Sequence, residues 1–169
     1  MSASVPAMIR ALLLAGVLAA CSGSPGGPTI NNKIDEGTPA TLQHDPVESA
    51  DILAREPVAD TAQIKHILIG WNMTGNDGRQ DKRAAARTKK DAEDLIRSLM
   101  GQIKNGADFD ALMKQYSEDP GSAMSAIAYK VTPDASLVIE FKQLGLRLKI
   151  GEVGVVQSEY GFHIMKRVE

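Results

Sequence analysis

Residues Asn105 to Ser122 constrain this chain more than any other stretch, because they punctuate two helices and end in an acidic turn. Asn105-Gly106 reads as a helix stop, since glycine takes the left-handed conformation that ends a helix without a Cβ penalty. Asp108 then offers its carboxylate to the free amides of the next helix. Phe109, Leu112, Met113 and Tyr116 follow at i, i+3, i+4 and i+7, which makes one buried face. Ser117-Glu118-Asp119-Pro120-Gly121 stops that helix and leaves carboxylates at an exposed turn.

The flanking sequence supplies the rest of a folded unit. Ile64 to Trp71 reads as a strand with both faces mostly apolar: Ile64, His66 and Leu68 share one, Lys65, Ile67 and Ile69 the other. Asn72 to Arg83 is a polar loop carrying Arg79, Lys82 and Arg83. A long helix is expected from about Ala84 to Lys104, burying Leu95, Ile96, Leu99, Met100 and Ile103, with Arg87, Lys90, Asp91, Asp94 and Arg97 in water. Ala126 to Val131 alternates as a strand. A further helix begins near Asp134 and buries Leu137, Phe141, Leu144 and Leu148 before Gly151. Val153–Gln157 and Phe162–Val168 close the chain as a hairpin. Strand, helices, strand, helix, hairpin implies an α+β domain, an antiparallel sheet covered by helices.

Upstream lies a different kind of sequence. Arg10 and the apolar run Ala11 to Leu18 have the form of an export signal, too short to cross a bilayer comfortably as a mature helix. Leu18-Ala19-Ala20-Cys21 resembles the bacterial lipobox, cut just before its cysteine. The thiol would then carry a diacylglycerol thioether, which explains where the chain's one cysteine sits. The alternative is an ordinary secretory signal with an incidental cysteine. Ser22 after the cysteine resembles the outer-membrane sorting habit of Gram-negative lipoproteins. From there to about Asp60, Gly, Pro, Ser, Asn, Asp and Thr dominate, which gives a flexible tether; Val47 to Ala54 is its one candidate helix, short and docked on the domain. The organisation is thus 1–20 signal peptide, 21–60 lipid-anchored linker and 61–169 folded domain.

A formal net charge of −2 argues against a nucleic-acid partner. The chain has no H-E-x-x-H, no paired-cysteine metal motif, no G-x-S-x-G and no phosphate loop, so neither metal nor cofactor chemistry is indicated. No coiled coil or broad apolar stripe suggests an oligomer, and a monomer is expected.

In its order of motifs the chain resembles the parvulin family of peptidyl-prolyl cis/trans isomerases. That family's pattern, close to G-x-x-F-x-x-L-x-x-x-x-S-x-D, runs here through Gly106, Phe109, Leu112, Ser117 and Asp119. Ile64 to Ile69 looks like its first strand, and Gly151-Glu152-Val153 and Tyr160-Gly161-Phe162-His163-Ile164 look like its last turn and strand. The resemblance spans roughly Gln63 to Glu169. It implies the parvulin-like fold of the FKBP-like superfold, a four-stranded antiparallel sheet wrapped by about four helices, with first and last strands adjacent at its centre. The implied reaction is rotation about X-Pro bonds in unfolded or extended polypeptides, by a membrane-anchored foldase.

Carried over by position, His66 and His163 match the two family histidines, Asp119 the Cys or Asp beside the rotating carbonyl, and Tyr160 a fourth polar position. Leu137 and Phe141 match the floor of the proline pocket, and Tyr129 an apolar residue that completes it. Other readings stay open: a hydrogen-bonded core histidine for His66, a helix cap for Asp119, a turn residue for Tyr160. One departure is plain. Where the family has a Gly-Gly-Asp-Leu-Gly-like segment, this chain has Ala126-Ile127-Ala128-Tyr129-Lys130, which brings bulk to the edge of the site. A peptide-holding module without catalysis is therefore the alternative function, and a structural lipoprotein a third. The basic loop is read as a solvated face with no phosphate preference.

Overall fold

A computed structural model describes residues 46–75 and 80–169 of the chain. The leader, Cys21, the first part of the tether and Arg79 of the basic loop lie outside the described residues.

Four strands, β1 (Ala62–Ile69), β2 (Tyr129–Val131), β3 (Val153–Ser158) and β4 (Gly161–Arg167), form one antiparallel sheet in the order β2-β1-β4-β3. The first and last strands are therefore the central pair, as the resemblance implies. β1 begins earlier than its β-branched run suggests, because buried Ala62 pairs with Val131. It ends at Ile69, so Gly70 and Trp71 leave the sheet. Along β1 and β4 the register sets His66 opposite Met165 and Leu68 opposite His163.

Among the described residues the helices are α1 (Ala50–Leu53), α2 (Lys82–Ala85), α3 (Lys89–Lys104), α4 (Phe109–Tyr116), α5 (Pro120–Ser125) and α6 (Ile139–Gly145), where about four were expected. On one sheet face Ile67, Ile69, Phe162 and Ile164 pack with Ile96 and Leu99 of α3 and Phe109 and Met113 of α4. On the other, Ile64, Val156 and Met165 pack with Ile52 of α1 and Phe141 and Leu144 of α6. Each such burial contributes roughly 1.5–3 kcal/mol, so two cores hold the sheet between them.

The punctuation read at Asn105-Gly106 and Asp108 is present. Gly106 has φ +89 and ends α3, while Asp108 caps α4 by accepting from the Ala111 amide at 2.7 Å. Other boundaries differ from the sequence expectation for local reasons. The single long helix from Ala84 is two, because Thr88 and Asp91 make a capping box that starts α3 afresh. Arg87, expected in water, lies in the break and turns inward. The helix expected from Asp134 begins at Ile139, behind a loop that carries Ser136 and Leu137. The strand expected over Ala126 to Val131 is confined to β2, since Ala126 takes the left-handed conformation at φ 52 and turns the chain away.

The last part of the expected tether is docked. Ile52 is buried in the α6-side core. Ser49 Oγ and Glu48 Oε1 accept the Val155 and Gln157 amides, each at 2.9 Å. Arg55 reaches Glu152 at 2.7 Å. Residues from Val47 on thus cover the outer edge of β3, which would otherwise be an open strand edge.

Candidate active site

β2 pairs only with Ala62 to Ile64, which leaves the outer edge of β1 unpaired further along. The acidic turn fills it. Ser117 Oγ accepts the Leu68 amide at 3.1 Å, the Glu118 amide donates to the Leu68 carbonyl at 2.9 Å, and Glu118 Oε2 accepts the Gly70 amide at 2.7 Å. Buried Glu118 is held in turn by Arg87 at 2.8 Å. A turn pinned this way sets Asp119 beside β1 and opposite His66.

Asp119 does two jobs through one oxygen. Its Oδ2 caps α5 by accepting the Ser122 amide and hydroxyl at 2.8 and 2.7 Å. The same oxygen accepts the Tyr129 hydroxyl at 2.8 Å and lies 3.4 Å from His66 Nε2. The cap and site readings of Asp119 are compatible in this geometry.

Behind His66 the polar line continues into the sheet. His66 Nδ1 and His163 Nδ1 are 3.2 Å apart, and His163 Nε2 is 2.7 Å from Ser158 Oγ, which also accepts the Tyr160 amide at 3.1 Å. Both histidines are buried, and the Phe141 ring meets each edge-on, with centroids 5.0 and 5.5 Å away. With Asp119 ionised and both rings neutral, one proton pattern satisfies every contact. Ser158 donates to His163 Nε2, His163 Nδ1–H donates to His66 Nδ1, and His66 Nε2–H faces Asp119.

The line opens on a cleft of about 250 Å³ lined by His66, Asp119, Tyr129, Ser136, Leu137, Val138, Phe141 and Tyr160. A larger groove of about 770 Å³, around Met100, Phe109 and Lys166, contains none of these groups and offers no comparable chemistry. Electrostatics sharpen the smaller cleft. Burial opposes ionisation of Asp119, but donors from His66, Ser122 and Tyr129 outweigh it and hold the carboxyl well below the usual range. Burial, and the Asp119 carboxylate it bonds, push Tyr129 up to about 12. Burial, with His66 alongside, brings His163 down to about 3.

The structure brings together all seven residues singled out for the site, but not in equal parts. His66, Asp119 and His163 form the polar line, and Leu137, Phe141 and Tyr129 wall the cleft. Tyr160 stands at its rim, 40% exposed, and its backbone amide rather than its phenol is tied to the line. Ser158, not singled out in the sequence, is the group bonded to His163. Read from sequence, that strand ends at Gln157 and leaves Ser158 to the turn; only the extension of β3 to Ser158 makes it an inward position. Of the basic loop, Arg83 is engaged by Asp81 at 3.0 Å and by the Ser117 carbonyl at 3.0 Å, so it braces the acidic turn.

Comparison with known proteins gives one family. Residues 50–169 match the profile of the PPIC-type PPIASE domain. The chaperone SurA of Chromohalobacter salexigens is 32% identical over 105 residues, covering 62% of this chain and 21% of that protein. The foldase protein PrsA of Geobacillus kaustophilus is 33% identical over 91 residues, covering 53% of this chain and 32% of the relative. This chain therefore spans a third or less of the length of these relatives. The peptidyl-prolyl isomerase ESS1 from Candida albicans shares the fold, with a TM-score of 0.56 at 18% identity over 65% of this chain and 63% of that one.

Proposed function

The chain belongs to the PPIC-type peptidyl-prolyl isomerase family, and from that premise we propose that it rotates X-Pro bonds of exported, still unfolded polypeptides while anchored to a membrane through lipidated Cys21. The reading rests on one observation above all: the line Ser158–His163–His66–Asp119 ends in a cleft floored by Leu137 and Phe141.

The chemistry follows from the barrier. Rotation costs about 18–20 kcal/mol because the amide must give up its resonance. No bond need break. A protein lowers the barrier by binding the twisted amide better than the planar one and by taking water from the carbonyl. Here the pyrrolidine ring sits against Leu137, Phe141 and Tyr129, and the rotating carbonyl lies beside His66 and Asp119. His163 and Ser158 hold the His66 ring in one tautomer and orientation. Proton transfer to substrate is not required.

A role in folding accords with the names of the relatives, a chaperone and a foldase. X-Pro isomerisation takes tens to hundreds of seconds uncatalysed, slow enough to limit folding. Among the described residues no helix is long and apolar enough to cross a membrane. Attachment through Cys21, on the periplasmic side of an outer membrane, is the reading that the lipobox and Ser22 support. The chain acts as a monomer, needs no cofactor and shows no phosphate preference.

The decisive experiment follows cis-to-trans relaxation of Xaa-Pro peptides with the full-length chain in detergent, beside the His66→Ala/Asp119→Ala variant. Acceleration lost in the variant establishes the activity and its place. Peptide binding with no acceleration establishes the alternative, a holding module, which the bulk of Ile127 and Tyr129 favours. Release of the protein from the membrane fraction by Cys21→Ser tests the anchor.

A further inference from the structure

We infer that Glu48 is a positioning residue for the reaction: it holds the far end of β3 so that Ser158 keeps its bond to His163. The inference rests on the isomerase reading of the cleft. Glu48 and Ser49 precede residue 50, where the family match begins.

β3 is an edge strand, paired with β4 on one side only. Its end is also where the polar line begins, since Ser158 is the last residue of β3 and its hydroxyl meets His163 Nε2 at 2.7 Å. A strand end at a sheet edge opens locally more readily than the centre of the sheet, and residues 47–55 oppose that opening here. Val47 packs with the core on the α3 and α4 side and Ile52 with the core on the α6 side, so the segment passes over the edge of β3 from one face to the other. Gly154 makes room for it, because a Cβ there would lie 3.1 Å from Ile52 Cδ1. The Ser49 amide donates to the Val155 carbonyl and the Ser49 hydroxyl oxygen accepts the Val155 amide, each at 2.9 Å. Glu48 Oε1 then accepts the Gln157 amide at 2.9 Å. That amide joins Val156, which pairs with His163, to Gln157, the neighbour of Ser158. Of these contacts it is the one nearest Ser158, and a carboxylate acceptor makes the stronger, charge-assisted kind of bond.

The test reads catalysed cis-to-trans relaxation of Xaa-Pro peptides with the full-length chain in detergent, and the His163 ring nitrogens in proton–nitrogen correlation spectra. Glu48→Ala is expected to lower kcat by about tenfold, the scale of a small misplacement in a positioned site, with KM little changed. Glu48→Gln keeps an acceptor oxygen and should retain most of the rate. In Glu48→Ala the His163 Nε2 resonance should move toward its position in Ser158→Ala. In a Ser158→Ala background, Glu48→Ala should lower the rate no further. Arg55→Met, which frees the other end of the segment from Glu152, is expected to lower the urea midpoint and leave the rate unchanged. Losses for Glu48→Ala and Ser158→Ala that simply multiply overturn the inference, as does a loss of rate in Arg55→Met equal to that in Glu48→Ala. An unchanged His163 spectrum, or a full rate, in Glu48→Ala overturns it and leaves the isomerase. If the wild type accelerates no peptide but the His163 resonance still moves in Glu48→Ala, the hold on Ser158 stands and the isomerase reading falls.

Discussion

The Nδ1 atoms of His66 and His163 face each other at 3.2 Å, although the two residues sit diagonally across the central strand pair. Only one of the two atoms can carry a hydrogen between them. Asp119 on the far side of His66 and Ser158 on the far side of His163 decide which. In long-range proton–nitrogen correlation spectra near neutral pH, His163 is expected as the Nδ1–H tautomer and His66 as the Nε2–H tautomer. Asp119→Asn removes the charge that fixes the order and is expected to mix the two patterns. The opposite assignment in the wild type would contradict the hydrogen-bond line.

The same burial makes stability depend on acid. His163 is held down to about 3 from 6.5, first by burial and then by His66. Between those values the unfolded chain takes up a proton that the folded chain refuses. Stability is therefore fully present above about pH 6.5 and is lost as pH falls toward 3, by about 2 kcal/mol at pH 5. Asp119, held below its ordinary range, acts in the same direction but only in stronger acid. Urea unfolding at about pH 7 and pH 5 reads the difference. His163→Asn cannot take up that proton, and its stability should change less over this interval.

Much of this was legible in the sequence because it rests on local rules. The stop at Gly106, the cap at Asp108 and the apolar face of α4 need only neighbours in the chain. The meeting of His66 with His163 followed from the family's strand order, which no periodicity reveals. What the sequence concealed was mostly tertiary. Arg87 sits on a stretch that reads as an exposed helix face, and only the break at Thr88 together with Glu118, far along the chain, turns it inward. Ser158 reads as a turn residue until the β3 register points it at His163. Ile127 fits an alternating strand, and the left-handed turn at Ala126 overrides that pattern.

The Arg87–Glu118 pair is expected to be structural and strong. Their side chains are 14% and 3% exposed, and Glu118 also receives the Gly70 amide that pins the acidic turn to β1. Arg87→Leu leaves the buried carboxylate with only the half-exposed Arg83 guanidinium, 3.9 Å away, to offset it, which costs up to about 3–5 kcal/mol. Lys90→Leu breaks an exposed pair with Asp94 and should cost less than about 1 kcal/mol. Adding Glu118→Gln to Arg87→Leu removes the stranded charge while keeping an acceptor for Gly70, so part of the loss returns. Equal midpoints for the two single variants in urea would refute the argument.

Gly121 and Tyr129 form a matched pair that sets the shape of the cleft. A Cβ at position 121 would lie 2.6 Å from the Tyr129 hydroxyl oxygen, 3.7 Å from the ring carbon that bears it and 3.3 Å from Asp119 Oδ2. Gly121→Ala must therefore push the hydroxyl off Asp119, tilting the ring and taking one donor from the carboxylate. Tyr129→Phe removes the one atom that would be closer than 3.0 Å; the ring carbon left behind stands at ordinary contact distance, and Asp119 Oδ2 at 3.3 Å need give by only a few tenths of an ångström. The clash thus predicts a sign in a double-mutant cycle. Gly121→Ala alone should lower peptide relaxation by about tenfold or more, the scale of a small misplacement in a positioned site. Gly121→Ala/Tyr129→Phe should recover to the level of Tyr129→Phe alone. If the two losses simply add, the hydroxyl is not what position 121 must accommodate, and the pairing of Tyr129 with Asp119 does not shape the cleft.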